Sequence, residues 1–435
     1  FPYTTLFRST KFICDSIPIE DIINDKIRDK NPKFLPYAID YASGSGHFIT
    51  EVMDRINKVV LKIDDTKFTE PMKDNYEVYK RSFKFAEEFV YGIEKDYRLA
   101  KTTKVSCFLN GDGEANIICG DGLANFYTSK EYTGLLNLSA KTDNGNMDNQ
   151  VFDVLVANPP YSVSGFKNTT KYLDRSFTLY NRLTYESSEI ECVFVERAKQ
   201  LLKNNGYAGI ILPVSMLSNN GTYADTREIL LKYFDIKAIV ELGSNTFMAT
   251  GTNTIILFLK RKDNYHWIKI KAIIDNFFKN NKDVVCNGIK NSFTQYAKFV
   301  YKTIKLSDYI SLISGEPNDI IIKHDIYIEY HKAFNNLTDI KNLKKKKSFK
   351  SKSLEEQKKE LNEKYYEYIR EIEKEKILYF MITYNQKLVH INSGQGNIEK
   401  DFLGYEFSNR RGYEGIKMYT MKMAKVHQNF IMRMI

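Results

Sequence analysis

Four residues, Asn158-Pro159-Pro160-Tyr161, carry the sharpest chemical signal in this sequence, directly after the apolar run Phe152 to Ala157. Two prolines fix two consecutive φ angles, so the backbone is rigid there. The Asn158 amide oxygen and the Pro159 carbonyl can then both accept hydrogen bonds from one exocyclic amino group. Binding both protons concentrates the nitrogen lone pair and prepares it to attack a sulfonium methyl. Such a step needs positioning and electrostatics, with no metal and no covalent enzyme intermediate. Tyr161 adds a ring on which a base can stack, worth about 1–3 kcal/mol. As structure alone, the same residues are a polar turn in which prolines end a strand.

A second group precedes it. Asp40-Tyr41-Ala42-Ser43-Gly44-Ser45-Gly46 places two glycines where backbone can approach a ligand closely, at the start of a helical pattern. Glu94 closes the next apolar run, where a carboxylate can accept both hydroxyl protons of a ribose. Asp121 closes the third, where an acid can meet an adenine amino group. Each acid alone reads as a satisfied loop residue; their order, one per strand end, points to a ligand.

The elements that must position these residues follow from periodicity. Apolar runs predict strands over 36–40, 89–94, 115–119 and 152–157, and further strands over 207–212, 236–241 and 252–259. Helical spacing separates them: short helices around Pro18 over 10–30, a helix over 49–60, a helical stretch through the eighties, and a helix over 189–203 stopped by Asn204-Asn205-Gly206. Strands alternating with helices, polar at their carboxyl ends, describe a doubly wound α/β sheet of about seven mostly parallel strands. In such sheets ligands bind outside the carboxyl ends of the strands.

Composition sets the outer bounds. The 435 residues suggest two or three domains, and 43% hydrophobic with 14% aromatic content excludes whole-chain disorder. The net charge of +10 leans toward a polyanionic partner. No run of eighteen apolar residues predicts a membrane span, and no secretory signal pattern is visible, so the cytoplasm is expected. Five scattered cysteines and six unclustered histidines predict neither a disulfide framework nor a metal site. Residues 341–376 hold 13 Lys/Arg and 8 Asp/Glu, which reads first as a solvated linker and polar helix, with direct phosphate contact as the alternative.

The motifs together resemble a known family. DYASGSGHF is similar to the methyltransferase motif usually written DPACGSGGF, and VANPPY to the NPPY/F loop of amino-methyltransferases. YGIEKD and IICGDGL resemble the family's second and third motifs. ERAKQLLKNNGYAGIILPVSML and NTFMATGTNTIILFLKRK are similar to the modification (M) subunits of type I restriction-modification systems, within the N-6 DNA methylase family. The resemblance covers about residues 11–260, and more loosely 375–415.

It implies a Rossmann-like fold that transfers a methyl group from S-adenosylmethionine to N6 of adenine in DNA. S-adenosylmethionine would lie on Asp40, Ala42, Gly44 and Gly46, its ribose on Glu94 and its adenine near Asp121. Asn158, Pro159, Pro160 and Tyr161 would hold the target adenine, with Phe247 as a second stacking ring. The implied partners are double-stranded DNA, a specificity (S) subunit and a restriction (R) subunit, with no membrane. Tyr41, Ser43 and His47 depart from the usual Pro, Cys and Gly. The family's FTP-type segment is replaced by Phe1 to Ser9, and the first residue is not Met.

The expected division is therefore a non-native head at 1–9, a catalytic domain at 10–262, a mixed connecting region at 263–340, a charged linker helix at 341–376 and a truncated C-terminal helical and aromatic module at 377–435. Other readings share parts of the pattern. Methylation of a protein glutamine or an RNA base uses the same NPPY logic. A nicotinamide dehydrogenase also uses Gly-x-Gly after a strand, but the third glycine of its motif is missing after Gly46. A truncated chain could also bind DNA or the specificity subunit without catalysis.

Overall fold

In a computed structural model of the chain, the residues described are 3–81, 83–109, 111, 115–126, 132, 140–141, 147–148, 150–169, 176–243, 253–395, 398, 402, 405–407 and 414–416. They form two units: an α/β unit ending at Asp263 and resuming at Lys387, and a helical unit, Asn264–Gln386.

The α/β unit opens with helices α1 (Tyr3–Ser16) and α2 (Ile19–Arg28). It then alternates through β1 (Ala38–Asp40), α3 (His47–Val60), α4 (Glu70–Tyr79), the single turn α5 (Ala86–Phe89), β2 (Val90–Glu94), α6 (Tyr97–Leu109) and β3 (Asn116–Cys119). Strands β4 (Ala140–Lys141) and β5 (Met147–Asp148) pair with each other outside the main sheet. Then come β6 (Phe152–Ala157), α7 (Phe166–Thr169), α8 (Ile190–Leu201), β7 (Leu202–Pro213), α9 (Ser215–Ser218), α10 (Thr222–Tyr233), β8 (Phe234–Glu241) and β9 (Thr254–Arg261). Helix α1 runs unbroken across the division expected at residue 9.

The main sheet has eight strands in the order β10-β8-β9-β7-β6-β1-β2-β3, where β10 is Val389–Asn392. Only β9 runs antiparallel to its neighbours, β7 and β8. The mostly parallel doubly wound sheet is as expected, with one strand more than the seven read from the sequence. The eighth, β10, returns from beyond the helical unit to pair in parallel with β8. Its four residues carry too little periodicity to announce a strand; the open edge of β8 supplies the reason for it.

Local differences have local causes. The helix stretch expected through the eighties is α4 at Glu70–Tyr79, with only one turn at Ala86–Phe89. The turn expected at Asn204-Asn205-Gly206 is an irregularity inside β7, where Asn205 takes φ 66° and the pairing with β6 shifts register. The edge pairs β11 (Tyr405–Phe407) with β12 (Glu414–Ile416) form a separate antiparallel ribbon.

Burial explains the sheet's centre. All six residues of β6 and all three of β1 are buried, as parallel strands covered on both faces must be. On one face α3 inserts Val52, Met53 and Ile56 into a core that includes Val154, Val156, Ile211 and Ile256. Helices α8 and α10 pack on each other and against β7 and β8. Strand order reverses at β1: β2 and β3 follow it outward on one side, and the chain then crosses to β6 on the other. This is the topological switch point, where a crevice opens at the carboxyl ends of the strands.

The helical unit comprises α11 (His266–Asn280), α12 (Ser292–Tyr301), α13 (Leu306–Ser314), α14 (Asp319–Ile322), α15 (Asp325–Asn336), α16 (Thr338–Lys345), α17 (Lys347–Lys350) and α18 (Leu354–Thr383). The divisions expected at 340 and 376 fall inside it: Ile340, Ile369 and Phe380 share one core with Phe293 and Leu312. Helix α18 starts despite its charged sequence because the Ser353 hydroxyl accepts the Glu356 N–H and the Glu356 carboxylate accepts the Ser353 N–H. At its centre Glu373 is fully buried and accepts hydrogen bonds from the hydroxyls of Tyr296, Tyr301, Tyr309 and Tyr330.

Candidate active site

Parallel register brings the candidate residues to one edge. Asp40 pairs with Gly92 and Glu94 with Cys119, so the ends of β1, β2 and β3 step upward together. On the other side Ile39 pairs with Leu155, which levels Asp40 with Val156 and sets Asn158 two residues beyond. Adjacent strands lie about 4.8 Å apart. The turn after β1 and the loop after β6 therefore face each other across the switch point.

The first turn is built by its own polar groups. Asp40, 1% exposed, accepts the Ala42 N–H at 3.0 Å. Burial pushes its carboxyl up to about 8; the Ala42 hydrogen bond works against this and the Glu94 charge adds to it. Glu94 accepts the Gly44 N–H at 2.8 Å through Oε2 and the Asp96 N–H at 2.7 Å through Oε1. A carboxylate offers about four lone-pair sites, so two acceptor positions remain.

The two glycines serve different ends. Gly46, φ 86°, caps α3, and a Cβ there would stand 2.7 Å from Thr103 Cγ2. Its demand is for protein packing. Gly44, φ 52°, would project a Cβ into space with no protein atom within 4 Å. Thr103, buried on α6, fixes this turn by donating to the Gly44 carbonyl at 2.7 Å. Ser43 Oγ is buried in the same turn without a hydrogen-bond partner among the described residues. An orphaned hydroxyl beside an open space fits a polar ligand lying along Asp40–Gly46.

Asp121 follows β3, caps its own turn by accepting the Leu123 N–H at 2.9 Å, and pairs with Lys95 at 3.0 Å. Its neighbour Gly122 leaves no room for a side chain, because a Cβ would run into the Tyr41 carbonyl. Tyr41 itself is buried with its ring on Phe194 of α8 at 5.1 Å. His47 accepts or donates at 2.7 Å with Ser45, and burial lowers its pKa.

In the second loop Asn158 is half-buried, Pro159 buried and Pro160 exposed. The Tyr161 hydroxyl donates to Asn158 Oδ1 and reaches the Ile211 carbonyl at 3.3 Å. Its ring packs against the main core and burial raises its pKa. Ser162 takes φ 51°, a left-handed conformation that costs a non-glycine residue of order 1–2 kcal/mol. Glu191, fully buried in the first turn of α8, offsets that cost by accepting the Ser162 N–H at 3.1 Å and the Tyr223 hydroxyl at 2.6 Å.

The structure thus joins Asp40 with Ala42, Glu94 with Gly44, and Asn158 with Tyr161, and sets Asp121 beyond the neighbouring strand. Phe247 lies outside the described residues. Sequence reading missed Thr103 and Glu191, which carry no motif; an acid in a helix's first turn is ordinarily a solvated residue. Among the described residues no group of three His, Cys, Asp or Glu side chains could hold a metal ion, and no helix is long and apolar enough to cross a membrane.

Residues 22–308 match the family model described as N-6 DNA Methylase. The Escherichia coli protein "Type II restriction enzyme and methyltransferase RM.Eco57I" is 24% identical over 319 residues, 67% of this chain and 31% of that protein. The Mycoplasma pneumoniae protein "Type I restriction enzyme MpnII methylase subunit" is 28% identical over 256 residues, 55% of this chain and 45% of that one. The chain therefore spans less than half the length of these curated relatives. A solved type I methyltransferase subunit from Streptococcus thermophilus has 17% identity and a TM-score of 0.35, covering 57% of this chain and 44% of that one.

Proposed function

The chain belongs to the N-6 DNA methylase family, and from that premise we propose that it transfers a methyl group from S-adenosylmethionine to N6 of adenine in double-stranded DNA. The observation that carries this reading is the rigid Asn158–Tyr161 loop at the end of β6, facing the Asp40–Gly46 turn across the switch point.

S-adenosylmethionine, when bound, supplies an electrophilic sulfonium methyl. Asp40, Ala42, Gly44 and Gly46 line its place, with the remaining acceptor positions of Glu94 for the ribose and Asp121 near the adenine. The cofactor's positive charge favours an ionised Asp40. The Asn158 amide oxygen, with a lone pair left beside the Tyr161 hydroxyl, and the Pro159 carbonyl accept the two N6 protons. With the cofactor bound, the N6 lone pair would take its methyl group as the carbon–sulfur bond breaks, and the surplus N6 proton would leave to solvent. Pro160 keeps the loop rigid, Tyr161, its ring packed against the core, orients Asn158, and Phe247 offers a ring to an adenine extruded from the duplex.

The name of the Mycoplasma pneumoniae relative, a type I methylase subunit, supports a role as the modification subunit of a restriction-modification system. We infer that it acts in the cytoplasm with a specificity subunit and a restriction subunit. The test supplies the chain, a specificity subunit and labelled S-adenosylmethionine with DNA, RNA and protein acceptors. Label is expected at adenine N6 of duplex DNA, and Asn158→Ala should abolish it while cofactor binding stays nearly intact. Label on cytosine C5, RNA or protein, or full activity of Asn158→Ala, overturns the reading.

A further inference from the structure

The charged stretch read from composition is a folded lysine knuckle in the helical unit. Between Ile340 and Leu354 the chain has seven lysines and no acidic residue. Helix α16 ends at Lys345, Lys346 is extended, and α17 is the single turn Lys347–Lys350. Buried Ile340 and Phe349 anchor its two ends, and the capping box at Ser353 fixes the exit into α18. The lysines between those anchors are all exposed.

Neutralisation is nearly absent. Lys352 pairs with Glu360 at 2.8 Å, and Lys344 donates to the neutral Asn335 amide at 2.8 Å. Lys341, Lys345, Lys346, Lys347 and Lys350 have no side-chain hydrogen bond or ion pair among the described residues. Helix α18 shows what the same unit does where charge serves only solvation: residues 355–376 mix eight acids with six bases. A folded surface of one sign accumulates self-repulsion that an external polyanion relieves.

We propose that this knuckle grips the phosphate backbone of duplex DNA. It holds no arginine for bidentate base contact, and its one aromatic ring, Phe349, is buried. Stacking on splayed bases therefore has no platform here, which disfavours single strands. Lysine ammoniums without such groups act as point charges on phosphates and position without reading sequence. The choice of DNA rests on the methylase reading; the grip itself is independent of catalysis.

The test compares the full chain with a variant carrying Lys→Gln at Lys345, Lys346, Lys347 and Lys350, and with a control carrying Lys→Gln at the exposed Lys279, Lys282, Lys290 and Lys298. Affinity for a random-sequence duplex is measured by anisotropy across a salt series, with the single strand and polyglutamate as competitors. The knuckle variant should lower the slope of log affinity against log salt by about 3.6, four phosphate contacts at roughly 0.9 each. The control should change it much less. Equal slopes for the variant and the unmodified chain, equal losses in the control, or no duplex binding at low salt overturn the proposal. Displacement by polyglutamate at matched charge assigns the surface to an acidic protein instead and also overturns it. A parallel methyl-transfer assay separates the readings: a lowered slope without methylation sinks the catalytic proposal alone, and methylation with an unchanged slope sinks the grip alone.

Discussion

The hydroxyl of Tyr161 donates to the amide oxygen of Asn158. The bond fixes which way the amide points, and the Asn158 oxygen is the atom proposed to accept an N6 proton. Tyr161→Phe keeps the ring and removes the donor. Methyl transfer in single turnover should fall about 2- to 10-fold, matching a net hydrogen bond of about 0.5–1.5 kcal/mol. Cofactor affinity should not move. An unchanged single-turnover rate would show that the backbone alone orients Asn158.

Asp40 sets a pH dependence of stability. Burial holds its proton to about pH 8 in the folded chain, against an ordinary value of 3.8 when exposed. The folded state thus binds the extra proton across that window. Its contribution is fully present below about 4, falls as pH rises toward about 8, and is flat above. Asp40→Asn removes this slope, so the variant should melt higher than the unmodified chain at pH 8.5 and show little gain at pH 4.

The same carboxyl should link cofactor binding to protons. A cationic ligand favours ionised Asp40, so S-adenosylmethionine affinity should rise as pH rises toward about 8 and then level. Calorimetry in buffers of different ionisation enthalpy should detect proton release at pH 7. Asp40→Asn should bind weakly at every pH, with no proton release.

Gly44 and Gly46 should separate function from folding. Gly44→Ala enters open space but takes a left-handed φ, so it should cost about 1–2 kcal/mol in urea unfolding while its methyl group lowers cofactor affinity. Gly46→Ala bears the same backbone cost and also meets Thr103, so it should lose more stability and less cofactor affinity than Gly44→Ala. The same ranking of both variants in both assays would contradict the assignment of the open space to ligand.

Glu373 is expected to hold the helical unit together. Four tyrosine hydroxyls converge on its two oxygens. Glu373→Ala leaves all four without that acceptor and should destabilise by about 3–5 kcal/mol. Glu373→Gln keeps the volume and one acceptor oxygen, and should lose less. The readout is denaturant unfolding of the full chain.

Sequence alone determined much of the α/β unit. Apolar runs bounded by acids or prolines marked β1, β2, β3 and β6 to within two residues, because a parallel strand buried on both faces must be apolar along its length. The chemical groups were legible for the same reason: Asp40, Glu94, Asp121 and Asn158 break those runs at one end. Tertiary structure decided what no local pattern carries. It assigned Gly46 to Thr103 and Gly44 to open space, though the two glycines look alike in sequence. It bonded the Tyr161 hydroxyl to Asn158 and held Ser162 through Glu191, contacts between residues 29 apart or across a fixed loop. It drew β10 back to the edge of β8, and folded the lysine run around Ile340 and Phe349. Periodicity reports which face of an element is buried. Which atoms meet there depends on register and on helices packed from elsewhere in the chain, and those are properties of the whole fold.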